Sequence, residues 1–305
     1  NMVEDAGVTV YCHAWGSEAI MEGNRVIGVT FQSKEGRKAI LASKVIDCTG
    51  DGDIFASAGC AYEKEYSGDD RSYNVSVVFR LGNVDSEEFR NWKYDPNSHY
   101  RDKLAEYKKL FGYRISPFVT PMKDIMWINN FVEGKDCCSV QDLTDTEMLI
   151  RRSLNEGIEW IRANVPGFKN AFLHDTAPQL GTRGSRRLNG TYRLTMDDIA
   201  QTIEHEDTIA IIPAHRRMKY KSPIELPYGV MLPADDVENL LTAGRCFSSA
   251  HDANDHANLI PHCVALGQAA GAAAAVALQS NTTFRNVDVK KVQQTLKKQG
   301  VYLPR

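Results

Sequence analysis

The feature that most constrains the fold is a short apolar run that ends in a turn rich in glycine and aspartate, residues 45–53 (VIDCTGDGD). A buried strand followed by such a turn and then by small, helix-compatible residues is typical of the strand–turn–helix units of α/β proteins. Glycine accepts positive φ and lets a ligand approach the backbone closely, so this turn is a typical nucleotide contact. An ordinary tight turn capped by aspartate explains the segment equally well on its own.

A second apolar run, 240–244 (LLTAG), is followed by Arg245, Cys246 and a polar segment that we expect to be an irregular loop. The alanine-rich stretch from His262 to Leu278 then predicts a helix. Unpaired amides and the helix dipole make a helix N-terminus a favourable place for a pyrophosphate or for developing negative charge. Plain packing of a small-residue helix on a sheet is the alternative and, by itself, the better interpretation.

Two polar segments contain candidate ligand-binding groups. Residues 181–190 (GTRGSRRLNG) contain three arginines, which could bind a carboxylate or phosphate through paired hydrogen bonds, or could form a solvated basic loop. The set His251, Asp252, Asp255 and His256 suggests a metal-dependent hydrolase as one hypothesis. Its spacing matches no helical zinc motif, so proton transfer by either histidine beside a redox ring is favoured.

Composition excludes several classes of protein. The 305 residues have ordinary globular composition, with 43% hydrophobic and 25% charged residues, and a net charge of −3, so binding of nucleic acid through bulk positive charge is not expected. Seven cysteines without a C-x-x-C pair argue against a disulfide framework and a zinc finger, and they fit a reducing, cytoplasmic compartment. The most apolar stretch, 263–278, is shorter than the roughly 20 residues of a membrane span.

Taken in order, these segments resemble the FAD-dependent oxidoreductase family, flavoproteins of the glutathione-reductase and succinate-dehydrogenase type. The resemblance also includes 191–198 (TYRLTMDD), 226–230 (LPYGV) and 261–271 (PHCVALGQAAG). It implies a mixed α/β (α+β) fold, in which a partial Rossmann-like FAD-binding domain carries an inserted substrate domain of β-sheet plus helices. It also implies FAD as the cofactor, and transfer of a hydride or electron pair between a small organic substrate and flavin N5.

The resemblance also implies roles for individual residues at matching positions. The implied cofactor-binding residues are Thr49, Gly50 and Asp51 near the FAD, Gly244 and Arg245 near its ribityl and pyrophosphate region, and Ile260, Pro261 and His262 near the pyrimidine edge. The candidate catalytic residues are Arg183, Arg186, His251 and His256. A positively polarised helix end at the pyrimidine edge would stabilise the anionic reduced flavin.

Two departures from the family pattern are visible. The G-x-G-x-x-G turn of the family is absent, because Gly50 and Gly52 lack the third glycine, and residues 258–260 (NLI) replace a segment that usually carries an arginine. The chain also begins without Met. We therefore expect a fragment, with an N-terminal half or a partner subunit that supplies the dinucleotide-binding turn. The alternative is a non-catalytic or split subunit that needs a partner chain to bind FAD.

The predicted organisation is an FAD-binding part over 1–61, an inserted substrate domain over 62–230, the rest of the FAD-binding domain over 231–280, and a C-terminal helix within 281–305. Alternating or apolar runs predict strands over Val8–Cys12 and Val75–Leu81. Apolar residues at helical spacing predict a helix over Thr144–Val165, with Asp142 or Thr144 as its N-cap.

Overall fold

The computed structural model of the protein describes residues 2–64, 75–201, 203–213 and 223–304. The chain divides into two compact units. Unit 1 comprises residues 1–64 and 186–305, and unit 2 comprises residues 65–185. The sequence of unit 1 is therefore interrupted by that of unit 2.

The regular elements are numbered in chain order. The strands are β1 (Trp15–Glu22), β2 (Arg25–Ser33), β3 (Gly36–Leu41), β4 (Val45–Asp47), β5 (Tyr62–Glu63), β6 (Val75–Ser76), β7 (Phe79–Gly82), β8 (Arg114–Val119), β9 (Met126–Phe131), β10 (Phe172–Thr176), β11 (Gly181–Thr182), β12 (Arg187–Leu188), β13 (Thr208–Ile212), β14 (Ile224–Pro227) and β15 (Leu240–Thr242). The helices are α1 (Met2–Asp5), α2 (Asp53–Ser57), α3 (Ser86–Tyr94), α4 (Tyr100–Phe111), α5 (Val140–Asn164), α6 (Met196–Gln201), α7 (His251–Ala257), α8 (Ile260–Gln279) and α9 (Val289–Lys298).

Unit 1 contains an antiparallel meander, β1–β2–β3, in which Gly23 allows the first tight turn with a φ of 61°. It also contains a parallel pair, β4–β15. The strand predicted over Val8–Cys12 is wrong, because this stretch is irregular. Val8, Val10 and Tyr11 are more than half exposed, so no sheet covers their apolar side chains and no ladder forms.

The largest core of unit 1 surrounds α8. Leu266, Ala269 and Ala273 are fully buried in one cluster with residues of β13, β14 and α9, and small side chains let the helix approach its neighbours closely. By length and composition α8 could cross a membrane, but 44% of its most apolar 18-residue window is buried inside the protein. It spans 20 residues, which is more than the stretch 263–278 considered from the sequence.

Residues 186–230 lie in unit 1, although the predicted inserted domain extended to residue 230. The reason is packing: Ile209 of β13 and Leu226 of β14 belong to the same buried cluster as α8. In addition, β12 pairs with β5, which returns the chain to unit 1 directly after residue 185. The first boundary lies after residue 64 rather than 61.

The described part of unit 2 contains a four-stranded antiparallel sheet, in the order β10–β7–β9–β8, the short antiparallel pair β6–β11, and the helices α3, α4 and α5. The predicted apolar face of α5 is confirmed, because Leu154, Ile158 and Ile161 are all buried. The helix begins four residues earlier than predicted, and its N-cap is Ser139, whose hydroxyl accepts from the Asp142 amide (3.3 Å). Neither predicted residue is the N-cap, because Asp142 lies within the first turn of the helix and Thr144 lies beyond that turn.

The single strand predicted over Val75–Leu81 is two strands, β6 and β7. Asn130 causes the break, because its side-chain oxygen accepts from the Val77 amide (2.9 Å) and its side-chain nitrogen donates to the Val77 carbonyl (2.6 Å). The Asn130 amide thus replaces a neighbouring strand as the hydrogen-bond partner of Val77. It is fully buried, so both bonds are shielded from water.

At Gly157 in α5, we expect an alanine substitution to lower the stability of the protein, which is the opposite of its usual effect in a helix. Replacing a helical glycine by alanine normally stabilises by up to ~1 kcal/mol. A Cβ at Gly157 would lie 2.4 Å from the Tyr107 hydroxyl, and that ring is fully buried and bonded to Tyr113. Gly157→Ala is therefore expected to destabilise unit 2 by about 1–3 kcal/mol, measured by urea unfolding.

The matched control is Gly267→Ala in α8, where no described atom lies within 4 Å of the new Cβ. It is expected to be neutral or to stabilise by up to ~1 kcal/mol. Equal unfolding free energies for the two alanine variants, each relative to the wild type, would contradict the role given to the Tyr107 contact.

Candidate functional site

Two segments that are far apart in sequence meet at the carboxyl edge of the β4–β15 pair. Val45 pairs with Leu240, and Asp47 with Thr242. Beyond the last pair, the Ala243 amide donates to the Asp47 carbonyl (2.9 Å), and the Thr242 hydroxyl donates to the same oxygen (3.2 Å). Ligands of α/β proteins bind beyond the carboxyl ends of parallel strands, so this edge is the candidate site.

The carboxylate of Asp47, only 1% exposed, organises the turn that follows β4. Its Oδ1 accepts from the amide (2.9 Å) and the hydroxyl (2.7 Å) of Thr49. Its Oδ2 accepts from the amides of Ile54 (3.1 Å) and Phe55 (2.9 Å) at the start of α2. Asp47 was not among the predicted site residues. Its position just before a helix N-terminus was the available signal, because a carboxylate is stabilised there.

The turn and the Ala243–Arg245 segment are joined by an ion pair. Nη2 of Arg245 lies 2.9 Å from Oδ2 of Asp51. The guanidinium lies directly against Gly50, where a Cβ would be only 2.6 Å from Nη1, and Gly50 has a φ of 84°. Glycine is thus required at this position for both backbone geometry and space. The structure brings together the predicted residues Thr49, Gly50, Asp51, Gly244 and Arg245.

Arg186 reaches the same turn from the start of β12. Its Nη1 donates to the Asp51 carbonyl (2.9 Å) and to Oδ1 of Asp53 (2.9 Å), and its guanidinium lies 5.7 Å from the centroid of the Tyr62 ring. Two arginines therefore flank the turn. In the structure, Arg186 supports the backbone of the turn.

Arg183 lies in unit 2, directly after β11. Its guanidinium lies 5.3 Å from the centroid of the Phe131 ring, and that of Arg114 lies 5.4 Å from the same centroid. A cation over an aromatic face is stabilised by the ring quadrupole. Arg183 and Arg186 thus belong to different units.

The polar segment after Arg245, predicted as an irregular loop, contains the helix α7. His251 and His256 lie at its two ends and are half-buried. Within residues 2–64, 75–201, 203–213 and 223–304, no group of three or more His, Cys, Asp or Glu side chains could hold a metal ion. The metal-dependent hydrolase built on His251, Asp252, Asp255 and His256 therefore has no ligand set in this part of the chain.

The N-terminus of α8 offers fewer free amides than a typical helix start. Pro261 has no N–H, and the amides of His262 (2.9 Å) and Cys263 (3.0 Å) both donate to the Leu259 carbonyl. Ile260 and Pro261 are exposed, whereas His262 is buried. The capacity of this end to bind an anion thus depends on the Ile260 amide and the dipole of a long helix.

Two thiols near the site are kept neutral by their surroundings. Burial raises the pKa of Cys246 to about 12. Burial also raises the pKa of Cys263, and the charge of Arg245 partly opposes the shift. Neither thiol is therefore a thiolate nucleophile at neutral pH.

Comparison with known proteins gives one family and several distant structures. The family model described as FAD dependent oxidoreductase matches residues 1–296. Among curated proteins no match is found.

Three solved structures are similar over nearly the whole chain at low identity. A triple mutant of the flavin-dependent brominase Bmp2 has 12% identity and a TM-score of 0.42, covering 97% of this chain and 57% of its own. The myxobacterial chondrochloren halogenase CndH has 12% identity and a TM-score of 0.43, covering 97% and 52%. A geranylgeranyl bacteriochlorophyll reductase-like protein from Thermoplasma acidophilum has 14% identity and a TM-score of 0.47, covering 98% and 57%. The chain thus spans a little over half the length of these structures.

Asp47→Asn tests whether the buried carboxylate holds the turn. Asp47 accepts hydrogen bonds through two oxygens, whereas asparagine has only one acceptor oxygen. The NH₂ group of asparagine would face N–H or O–H donors and leave them without an acceptor. We expect a loss of about 2–4 kcal/mol of unfolding free energy for unit 1, since leaving each buried donor unpaired costs about 1–3 kcal/mol. Urea unfolding, with a probe in unit 1, measures the change.

Asp53→Asn is the control, because the Asp53 side chain is 41% exposed and pairs with Arg186. Its expected cost is below ~1 kcal/mol. A similar cost for both substitutions would show that the Asp47 bonds do not hold the turn.

Proposed function

The chain belongs to the FAD dependent oxidoreductase family and FAD is its cofactor; from this premise we propose that the protein moves a hydride or electron pair between a small organic substrate and flavin N5. When bound, FAD supplies the redox chemistry, and the protein contributes binding, orientation and electrostatics. The observation that carries the proposal is the meeting of Gly50, Asp51 and Arg245 at the carboxyl edge of β4–β15, where the ion pair measures 2.9 Å. Because the chain spans little over half of the structures it matches, the activity is proposed for the whole protein.

The residues present at this edge suit a ligand that carries phosphates and a polar chain. Gly244 has a φ of 98°, and no described atom lies within 4 Å of the place a Cβ would occupy, so the backbone is open to a close approach. The guanidinium of Arg245 supplies positive charge beside it, and Thr49 and Gly50 supply the turn. We propose that these residues, with Asp51, hold the FAD.

The remaining predicted residues of unit 1 are proposed to act around the reacting ring. Ile260, Pro261 and His262 form the start of α8, whose positive end suits developing negative charge. His251 and His256 are proposed as proton donors, because α7 is adjacent to Arg245: its Asn254 donates to the Arg245 carbonyl (3.0 Å). Arg183 is proposed to orient an acidic substrate, whereas the contacts of Arg186 favour support of the turn.

A further polypeptide segment is proposed to complete the nucleotide site, either an N-terminal half or a partner subunit. In the described part of the chain, β4 and β15 pair only with each other, whereas parallel sheets usually have more strands and are covered on both faces. One face of α8 is also open, since Ile260 and Val264 are 81% and 65% exposed. This segment would supply the glycine-rich dinucleotide turn.

The surroundings proposed for the protein follow from its charge and thiols. No disulfide joins cysteines in the described part of the chain, which fits a reducing cytoplasmic compartment. With a net charge of −3, a small molecule rather than nucleic acid is the proposed partner in the reaction. No membrane span is proposed, because α8, the one helix among the described residues that is long and apolar enough to cross a membrane, packs within the core of unit 1.

Purification of the chain with FAD tests the central proposal. Bound flavin is expected to be visible in absorption and to be released on denaturation in a one-to-one ratio. Arg245→Gln removes a charge-assisted contact and is expected to weaken FAD affinity about tenfold or more, measured by fluorescence titration. Arg193→Gln is the control, because Arg193 is an exposed arginine paired with Glu63 (2.6 Å), and it should leave FAD affinity unchanged.

A chain that stays colourless with FAD, but gains flavin when its glycine-rich segment is co-expressed, would favour the split-subunit alternative. A protein that binds no flavin in either form would contradict the proposal. With flavin bound, anaerobic bleaching by small organic acids or alcohols tests the hydride-transfer step.

Gly50→Ala separates the ligand-facing role of the turn from its backbone role. The new methyl group would displace the Arg245 guanidinium from its place at 2.6 Å, so we expect FAD affinity to fall about tenfold. Gly59→Ala is the control, since Gly59 has nearly the same φ (83° against 84°) and no described atom within 4 Å of its Cβ position. An equal loss of affinity in both variants would assign the effect to backbone strain.

A further inference from the structure

A buried amide on α7 connects the two parts of the 244–262 segment. Asn254 is 1% exposed, and its side-chain nitrogen donates to the Arg245 carbonyl (3.0 Å) and to the Ser249 hydroxyl (2.9 Å). Its side-chain oxygen accepts from the side-chain nitrogen of Asn258 (3.0 Å). One side chain therefore bonds upstream to the Arg245 turn and downstream to Asn258, the residue before the N-cap of α8.

Asn258 continues this connection into α8. The Asn258 carbonyl accepts from the thiol of Cys263 (3.4 Å) in the first turn of α8. Leu259, the N-cap of this helix, makes no side-chain cap bond, so the usual side-chain device that fixes a helix start is lacking here. The Asn258 side chain itself donates to the side-chain oxygen of Asn254 (3.0 Å).

The geometry limits where the Arg245 guanidinium can lie. The backbone of Arg245 is held from one side by Asn254, and its side chain is held from the other by Asp51 (2.9 Å). A shift of the Arg245 carbonyl would move the Cα of the residue and with it the approach to Gly50. Burying the Asn254 side-chain amide without hydrogen-bond partners would be unfavourable. Its bonds to Arg245 and Asn258 therefore hold these two residues in place.

We propose that Asn254 is a positioning residue of the cofactor site, which sets both the place of the Arg245 guanidinium and the start of α8. This inference rests on the proposed function, because the site that it positions is the proposed FAD site. The hydrogen bonds of the Asn254 side chain go to Arg245, Ser249 and Asn258, so it acts on the site through Arg245 and Asn258. A role of this kind predicts a loss of affinity beyond any loss of stability.

The first test compares two alanine variants for FAD affinity. Asn254→Ala is expected to weaken FAD binding about tenfold. The matched control is Gln293→Ala in α9, which also removes a buried side-chain amide that donates to two backbone carbonyls, those of Glu206 (2.8 Å) and Thr208 (3.0 Å). Gln293→Ala should lower stability comparably but leave FAD affinity within about twofold. Equal weakening in both variants would overturn the proposal, since it would show only a general structural effect.

The second test needs no cofactor. It follows alkylation of Cys263 by a small reagent such as iodoacetamide, with mass spectrometry of the peptides. Asn254→Ala is expected to speed the reaction of Cys263 several-fold, because the start of α8 loses its connection, while the exposed Cys12 reacts at an unchanged rate. Unchanged reactivity of Cys263 would overturn the proposal.

Asn254→Asp separates the effect of Asn254 on Arg245 from its effect on the start of α8. Aspartate keeps the acceptor for Asn258 but cannot donate to the Arg245 carbonyl, so FAD affinity should fall as in Asn254→Ala while Cys263 stays close to the wild-type rate. Wild-type affinity in Asn254→Asp would contradict the Arg245 half. If the wild-type protein binds no FAD in any form, the proposed function fails, and the alkylation rates alone then decide whether Asn254 positions α8.

Discussion

The structure of the candidate site depends first on the burial of the Asp47 carboxylate. A buried charge is unfavourable unless it is fully hydrogen-bonded, and here four donors from Thr49, Ile54 and Phe55 surround it. These bonds fold the glycine turn back over the end of β4 and begin α2 at a fixed place. The carbonyl of the same residue binds the Ala243 amide, so one residue holds both halves of the site.

The charges around the turn are balanced before any ligand is considered. Arg245 pairs with Asp51, and Arg186 with Asp53, each at 2.9 Å. A charge that is paired is less costly to bury than a charge without a partner. The two ion pairs therefore allow two arginines to lie close together at the strand ends. An anionic ligand at this edge then competes with carboxylates for guanidinium groups. Affinity for a phosphate-bearing molecule at this edge would therefore depend on its competition with Asp51 and Asp53 for the guanidinium groups, and not on the number of positive charges alone.

Local patterns predicted much of the fold, and long-range hydrogen bonds account for most of what they missed. The face of α5 followed from apolar spacing within one stretch of sequence, whereas the meeting of Gly50 with Arg245 followed from the resemblance to the FAD-dependent oxidoreductase family. The break between β6 and β7 followed from neither, since Asn130 comes from a strand more than fifty residues away (|i−j| of 53). The boundary after residue 185 was missed for the same reason. In the sequence, Asp47 is an ordinary strand residue and Asn254 an ordinary polar residue. Their structural roles become visible only from their hydrogen-bond partners in the structure.

The chain leaves unit 1 and re-enters it at neighbouring strands. This explains how the candidate site keeps a defined geometry although the sequence of unit 1 is interrupted. Glu63 pairs with Arg187, and Tyr62 with Leu188, so the last strand before the interruption lies beside the first strand after it. The ends are thus fixed at one point, and whatever length of chain intervenes adds only a slowly growing closure entropy. Arg186 immediately precedes β12, and this pairing is what places its guanidinium on the Asp51 carbonyl. The same short β5–β12 ladder that tolerates the insertion therefore also supplies a support for the glycine turn after β4.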